Sequence, residues 1–231
     1  MARESESLIE RQLKTPRAAA IAGILFAMLF GTSWVLIRLS IPVDSLTSSD
    51  WLDDQAKNLA LAMSLVPFAG IAFLWFMGVV RDRMAHHEDQ FFSTLFFGSG
   101  YLYLGMTFAS AAAIGSVLIL YSSGPSLPVV SEVYSLALII SNRLNSVYAM
   151  RMAGAFMTVL GTIWVRTGVM PRWLAVITYL LAAVLLISIG FTPWVILVFP
   201  GWVLTISVAI LILNYRHSRE QKGLDGLSLA G

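Results

Sequence analysis

Long runs without Asp, Glu, Lys or Arg dominate the chain. They cover residues 18–37, 58–80, 90–131 and 173–215. The hydrocarbon core of a bilayer is about 30 Å thick and needs roughly 20 apolar residues of α-helix to cross it. The first two runs therefore predict one membrane span each, and the two longer runs must be divided.

Turn-forming residues divide the longer runs. A Gly and two Pro residues within 124–128 predict that the third helix ends near Tyr121. Thr192 followed by Pro193 is a helix-start signal, because Thr can cap a helix and Pro fits its first position. This signal splits the last run into two spans.

The fourth span is the one that charges interrupt. Residues 133–165 contain Arg143 and Arg151, and the part before Asn145 can also be interpreted as a surface helix. Counting the segment as a span gives an all-α membrane bundle of six helices. The predicted spans are about 18–41, 56–80, 91–121, 133–165, 173–191 and 194–215, between an N-terminal segment 1–17 and a tail 216–231.

The distribution of positive charge predicts how the six spans are oriented. With the N-terminus in the cytoplasm, eleven of the fifteen Lys and Arg residues fall on the cytoplasmic side. The loops on the other side carry Lys57 as their only Lys or Arg. Because positive residues in short loops stay in the cytoplasm, both termini are expected there.

Composition supports a membrane protein and excludes several other classes. The chain is 58% hydrophobic and 12% charged, whereas soluble domains are about 25% charged. The absence of cysteine excludes disulfides, thiol chemistry, iron–sulfur clusters and cysteine zinc sites. The small net charge of +2 and the short loops leave no place for a nucleic-acid-binding module.

Small residues and prolines suggest how the helices pack. Ala19, Gly23, Ala27 and Gly31 recur every four residues, and the third span is rich in Gly, Ala and Ser between Gly98 and Ser116. Such residues favour close helix packing, with a pore lining as the alternative, and they make the third span the candidate centre of the bundle.

Pro67 and Pro200 predict kinks in the second and last spans. Kinks are routine in membrane helices, and they also occur in the discontinuous helices of transporters.

Three ionisable residues fall within or beside apolar spans: Arg38, Arg143 and Arg151. On an ideal helix Glu132, Arg143 and Arg151 share a stripe with small and polar residues, so spans one and four are expected to bring the arginines together inside the bundle. An Arg143–Glu132 pair, or Asp53 and Asp54 folding over the site, would make their role structural. A lipid phosphate or another anion is the alternative partner.

Candidate catalytic and metal-binding residues are few. His86-His87-Glu88-Asp89 looks like a metal cluster, but adjacent histidines on one short loop rarely converge on one ion, so a solvated loop is the preferred interpretation. The sequence has no His-Glu-x-x-His, no glycine-rich phosphate loop and no Ser-x-x-Lys. We therefore expect no metal, no cofactor and no enzymatic activity.

A resemblance adds an expectation about cell type. The stretch Leu65-Val66-Pro67-Phe68-Ala69-Gly70-Ile71-Ala72-Phe73-Leu74-Trp75-Phe76, with Val80-Arg81-Asp82-Arg83 and Glu88-Asp89-Gln90-Phe91-Phe92, resembles an uncharacterised family of bacterial multi-spanning membrane proteins. It covers about a quarter of the chain. The resemblance implies a location in the bacterial inner membrane, and it implies no activity and no functional residues.

Together these patterns favour a non-enzymatic polytopic membrane protein, either an oligomeric scaffold or an accessory subunit. Its expected partners are membrane lipid and a further copy of itself or another membrane protein, with no nucleic acid. The alternative is a transporter or channel for an anion or lipid that uses Arg38, Arg143 and Arg151.

The orientation can be tested with tags at both ends of the chain. A tag after Gly231 and one before Met1 are expected to resist protease added outside intact cells, because both termini carry clusters of positive residues. A tag inserted in loop 42–57 serves as the exposed control. Digestion of the Gly231 tag in intact cells would contradict the six-span topology.

Overall fold

Every secondary-structure element in the described part of the chain is a helix. A computed structural model describes residues 2–41, 51–84, 90–123, 127–168, 171–187 and 193–212. The helices are α1 (Ala2–Ser40), α2 (Trp51–Met84), α3 (Gln90–Ser122), α4 (Leu127–Arg143), α5 (Met150–Thr167), α6 (Arg172–Ile187) and α7 (198–212). A π-helical segment, Leu144–Ala149, joins α4 to α5 without a break, and a 3-10 turn, Pro193–Leu197, precedes α7.

Five of these helical stretches are long and apolar enough to cross a membrane. They are Ala18–Ser40, Gln55–Arg81, Gln90–Ser122, Glu132–Thr167 and Trp194–Ile212. The expected all-α membrane bundle is thus confirmed, and the protein is polytopic. α6 is apolar but has only 16 residues, and its predicted continuation to residue 191 lies outside the described residues.

Residues 127–167 form one uninterrupted helical run. The segment before Asn145, which the sequence also allowed as a separate surface helix, is continuous with α5 through the π-helical segment. Arg143 and Arg151 therefore lie on the same helical run as Ser141 and Gly154.

An aromatic cluster holds the centre of the bundle together. The ring of Phe73 on α2 lies 4.9 Å from that of Phe26 on α1, 5.5 Å from Tyr103 on α3, 5.4 Å from Phe156 on α5 and 5.6 Å from Phe199 on α7, measured between centroids. Several of these pairs are tilted or edge-to-face, which aromatic rings prefer. One side chain of α2 thus contacts rings from four other helices.

Glycines bring particular helices into close contact, as the sequence predicted for the first span. A Cβ at Gly23 of α1 would clash with Ser207 of α7 and Phe76 of α2. A Cβ at Gly154 of α5 would lie 2.9 Å from Cγ of Leu186 and 3.1 Å from the carbonyl oxygen of Ala182, both on α6. Only glycine allows these backbones to approach so closely.

The small residues of α3 are divided between its two sides. Ser99, Gly100 and Ser110 are buried, whereas Gly105, Ala109 and several other small residues lie on the exposed side. A Cβ at Gly100 would clash with Met77 of α2, so close packing through small residues is found on the buried side of α3. α3 contacts α2, α4, α5 and the π-helical segment.

The two helical prolines occupy different environments. Pro67 lies in the middle of α2 and is exposed, whereas Pro200 is buried in α7. Helical structure continues on both sides of each, and the kinks stay predictions.

Positive residues cluster at one end of the bundle. The guanidinium carbon of Arg81 lies 5.2 Å from the ring centroid of Phe97, and that of Arg166 lies 4.5 Å from Phe92. Both rings belong to the first turns of α3. Cation–π contacts therefore tie the ends of α2 and α5 to the beginning of α3.

The close contact between α5 and α6 can be tested with a matched pair of glycine variants. Gly154→Ala is expected to destabilise the protein by about 1–3 kcal/mol, because the backbone carbonyl of Ala182 cannot easily move away. Gly78→Ala is the control, since Gly78 is an exposed helix residue with open space at its Cβ position. Thermal unfolding in detergent measures both, and an unchanged unfolding temperature for Gly154→Ala would contradict the described contact.

Candidate functional site

Arg38 is the arginine with an unsatisfied buried group. It lies in the last turn of α1 and is half-buried. Its Nε atom is buried and has no hydrogen-bond partner. Because a buried guanidinium donor without an acceptor is costly, this end of α1 is a candidate site for an acceptor supplied from outside the chain.

The guanidinium of Arg151 forms a hydrogen bond within its own helical run. Its Nη1 donates a hydrogen bond of 3.0 Å to the backbone carbonyl of Val147, which lies in the π-helical segment. The half-buried side chain thus turns back onto the preceding turn. This contact favours a structural role for Arg151.

Arg143 and Glu132 are both exposed on α4. They are eleven residues apart, about 16 Å along the helix, and no ion pair joins them in the part of the chain that the structure describes. The alternative of an Arg143–Glu132 pair is therefore not formed, and Arg143 does not face the interior of the bundle as expected. The side chains of Asp53 and Asp54 lie outside the described residues.

The π-helical segment explains this placement. A π-turn contains about one residue more than an α-turn, and one residue corresponds to about 100° of rotation. The segment therefore rotates α5 relative to α4, which brings the buried residues Ser141 and Asn145 into line with Ala149, Ala153 and Phe156. An ideal helix drawn through the same residues places the inward face incorrectly.

A polar cluster occupies this aligned inward face. Asn145 Nδ2 donates to Ser110 Oγ at 2.5 Å, and Ser110 Oγ lies 2.6 Å from Ser141 Oγ. All three residues are buried. Ser110 belongs to α3, so these hydrogen bonds join α3 to the α4–α5 run inside the apolar part of the bundle.

A small cavity adjoins the polar cluster. Its volume is about 20 Å³, and its wall includes residues from α1, α2, α3 and the π-helical segment. The lining residues are Phe30, Ser33, Trp34, Ile37, Met63, Val66, Thr107, Ser110, Ala111, Ile114 and Asn145. Every lining residue is uncharged.

Sequence reasoning did not find this cluster. Asn145 lay off the polar stripe drawn on an ideal helix, and Ser110 was one of many small residues on α3. The available signal was the spacing of four between Ser141 and Asn145, two polar residues in an apolar span. On its own such spacing is too common to indicate a site.

The exposed side of α3 carries a row of small residues, which we call the α3 outer face. It consists of Gly98, Gly105, Ala109, Ala112 and Ser116. At about 100° per residue these positions fall within about 60° of one another. Four of them are exposed and Gly98 is half-buried, and a Cβ at Gly98 or Gly105 would meet nothing within 4 Å.

An apolar groove adjoins the α3 outer face. It has a volume of about 270 Å³ and lies between α2 and α3, with Pro67, Phe108 and Ala112 among its lining residues. Ala112 belongs to both surfaces. The outer face and the groove therefore adjoin at Ala112, and none of their residues is charged.

Metal binding finds no support in the described residues, which contain no cluster of three or more His, Asp or Glu side chains. His86, His87, Glu88 and Asp89 lie outside the described residues, so the solvated-loop interpretation stays a prediction.

Comparisons with protein-family models, with curated proteins and with solved structures find no match for this chain.

Proposed function

We propose that this polytopic membrane protein is a non-enzymatic scaffold or accessory subunit that binds a transmembrane helix at the α3 outer face. The partner helix belongs to a second copy of the chain or to another membrane protein. The resemblance to bacterial membrane proteins and the distribution of positive charge support a location in the bacterial inner membrane with both termini in the cytoplasm.

The observation that carries this proposal is glycine on an exposed helix face. Glycine inside a helix costs about 0.5–1 kcal/mol relative to alanine. At Gly23, Gly100 and Gly154 close contacts inside the bundle offset this cost. At Gly98 and Gly105 the space around the Cβ position is open. A second helix that packs there would gain from the close approach that these glycines permit.

The pattern of the α3 outer face also suits helix packing. Gly98, Gly105 and Ala112 recur every seven residues, and Ala109 and Ser116 each follow one of them by four. Repeats of seven and four keep one side of a helix directed at a neighbour that crosses at a shallow angle. The groove beside Ala112 offers space for a larger side chain of the partner.

Single-cysteine cross-linking can test this proposal cleanly, because the chain has no cysteine of its own. Ala112→Cys in native membranes is expected to give an adduct at twice the chain mass, or at the mass of chain plus partner, several-fold more strongly than Leu180→Cys. Leu180 is a lipid-facing control on α6, 63% exposed. Mass spectrometry of the adduct identifies the partner.

A second substitution links the adduct to the α3 outer face. Gly105→Leu adds a bulky side chain where the structure has open space, so the isolated chain should stay folded while the Ala112→Cys adduct is lost. Equal adduct yields at positions 112 and 180, or an adduct unaffected by Gly105→Leu, would contradict the proposal.

Anion or lipid binding is a second candidate function, favoured by the buried, unpartnered Nε of Arg38. A lipid phosphate near the end of α1 would accept hydrogen bonds from the guanidinium in a parallel pair. Transport by way of Arg143 and Arg151 has less support, because Arg143 is exposed and Arg151 donates to the Val147 carbonyl.

Lipid binding at Arg38 can be measured by native mass spectrometry with phosphatidylglycerol. Arg38→Met is expected to reduce the retained anionic lipid several-fold, because the buried donor is lost. Arg143→Met is the matched control, since it removes an exposed arginine of the same chain. Arg38→Lys, which keeps the charge but lacks the planar set of donors, should restore binding only partly. Equal retention by Arg38→Met and Arg143→Met would exclude a specific site.

A further inference from the structure

Trp34 and Asn145 line the same cavity, and each carries a buried polar atom without a hydrogen-bond partner. The indole N–H of Trp34 on α1 and the amide oxygen of Asn145 in the π-helical segment each lack a hydrogen-bond partner. Trp34 is 9% exposed and Asn145 is 8% exposed. The indole N–H is a donor and the amide oxygen an acceptor, so one molecule that both accepts and donates hydrogen bonds could pair with both.

Turning the Asn145 amide over does not remove the need for a further hydrogen-bond partner. If the amide of Asn145 turned over, its oxygen would accept from Ser110 and its nitrogen would lack an acceptor. In either orientation one polar atom of the amide is unsatisfied. In a bilayer core such a group is costly, because no bulk water can reach it.

The size of the cavity restricts what can satisfy both groups. A volume of about 20 Å³ holds one water molecule, for which about 10–15 Å³ is sufficient. A molecule with several non-hydrogen atoms would not fit. The wall carries no charged side chain, so an ion would lose its hydration without a counter-charge.

We propose that this cavity is a binding site for a single water molecule, held between Trp34 and Asn145. The water accepts the hydrogen bond from the Trp34 indole N–H and donates one to the Asn145 amide oxygen. Its second hydrogen bonds to the hydroxyl oxygen of Thr107 or Ser33, because each keeps a free lone pair while donating to a backbone carbonyl.

The site would connect parts of the bundle between which the described residues form no direct side-chain hydrogen bond. Trp34 belongs to α1, whereas Asn145 is already joined to α3 through Ser110. The bound water would extend this network from the π-helical segment to α1. This inference is independent of the α3 outer face, which lies on the exposed side of α3.

The first test is a high-resolution density map of the unaltered protein in lipid. A peak within about 3.2 Å of both Trp34 Nε1 and the Asn145 amide is expected. The peak should disappear in Asn145→Leu, which replaces the amide with an apolar side chain of similar size. No peak at this position, in a map that resolves other buried waters of the bundle, would overturn the proposal.

The second test is a double-mutant cycle on thermal unfolding. Trp34→Phe removes the donor and Asn145→Leu removes the amide, and the drop in unfolding temperature of the double variant should be clearly smaller than the sum of the two single drops. The control cycle pairs Trp34→Phe with Ile114→Val, another lining residue without a polar group. Equal additivity in the two cycles would show that no molecule bridges Trp34 and Asn145.

Discussion

Contact between aromatic rings at Phe73 is the interaction on which the arrangement of this bundle depends. In lipid the helices gain little from burying apolar surface, since the surrounding chains are equally apolar. Helix association then depends on how well the side chains fit. The Phe73 ring touches rings from α1, α3, α5 and α7, so the positions of four neighbouring helices are set by one rigid side chain of α2.

Glycine acts in two opposite ways in this protein. At Gly23, Gly100 and Gly154 a neighbouring helix of the same chain occupies the space that a side chain would need. At Gly98 and Gly105 the missing side chain leaves a shallow surface that faces outward. The same residue type therefore allows close packing inside the bundle and leaves open space on the α3 outer face.

The sequence could predict the helices but not the site. Uncharged runs and turn-forming residues define the spans because bilayer thickness imposes a minimum length, and α1, α2 and α3 cover the predicted positions. Which residues of the fourth span face inward depends on the π-helical segment, and no residue type predicts such a segment. The sequence therefore does not indicate that Ser141 and Asn145 are buried, and it wrongly places Arg143 in the interior. Trp34 could not be linked to Asn145, because that pairing arises only from the packing of α1 beside α3.

The π-helical segment also determines how α5 is rotated relative to α4. A turn of this kind differs from ordinary helix by a single extra residue. If all six residues of Leu144–Ala149 wound as regular α-helix, α5 would turn by about 100° about its axis. Phe156 would then leave the ring cluster and Gly154 would leave α6. Deletion of one residue within the segment would instead restore regular helix and keep both faces aligned, so the loss of a codon is better tolerated here than in the neighbouring turns of α4 or α5.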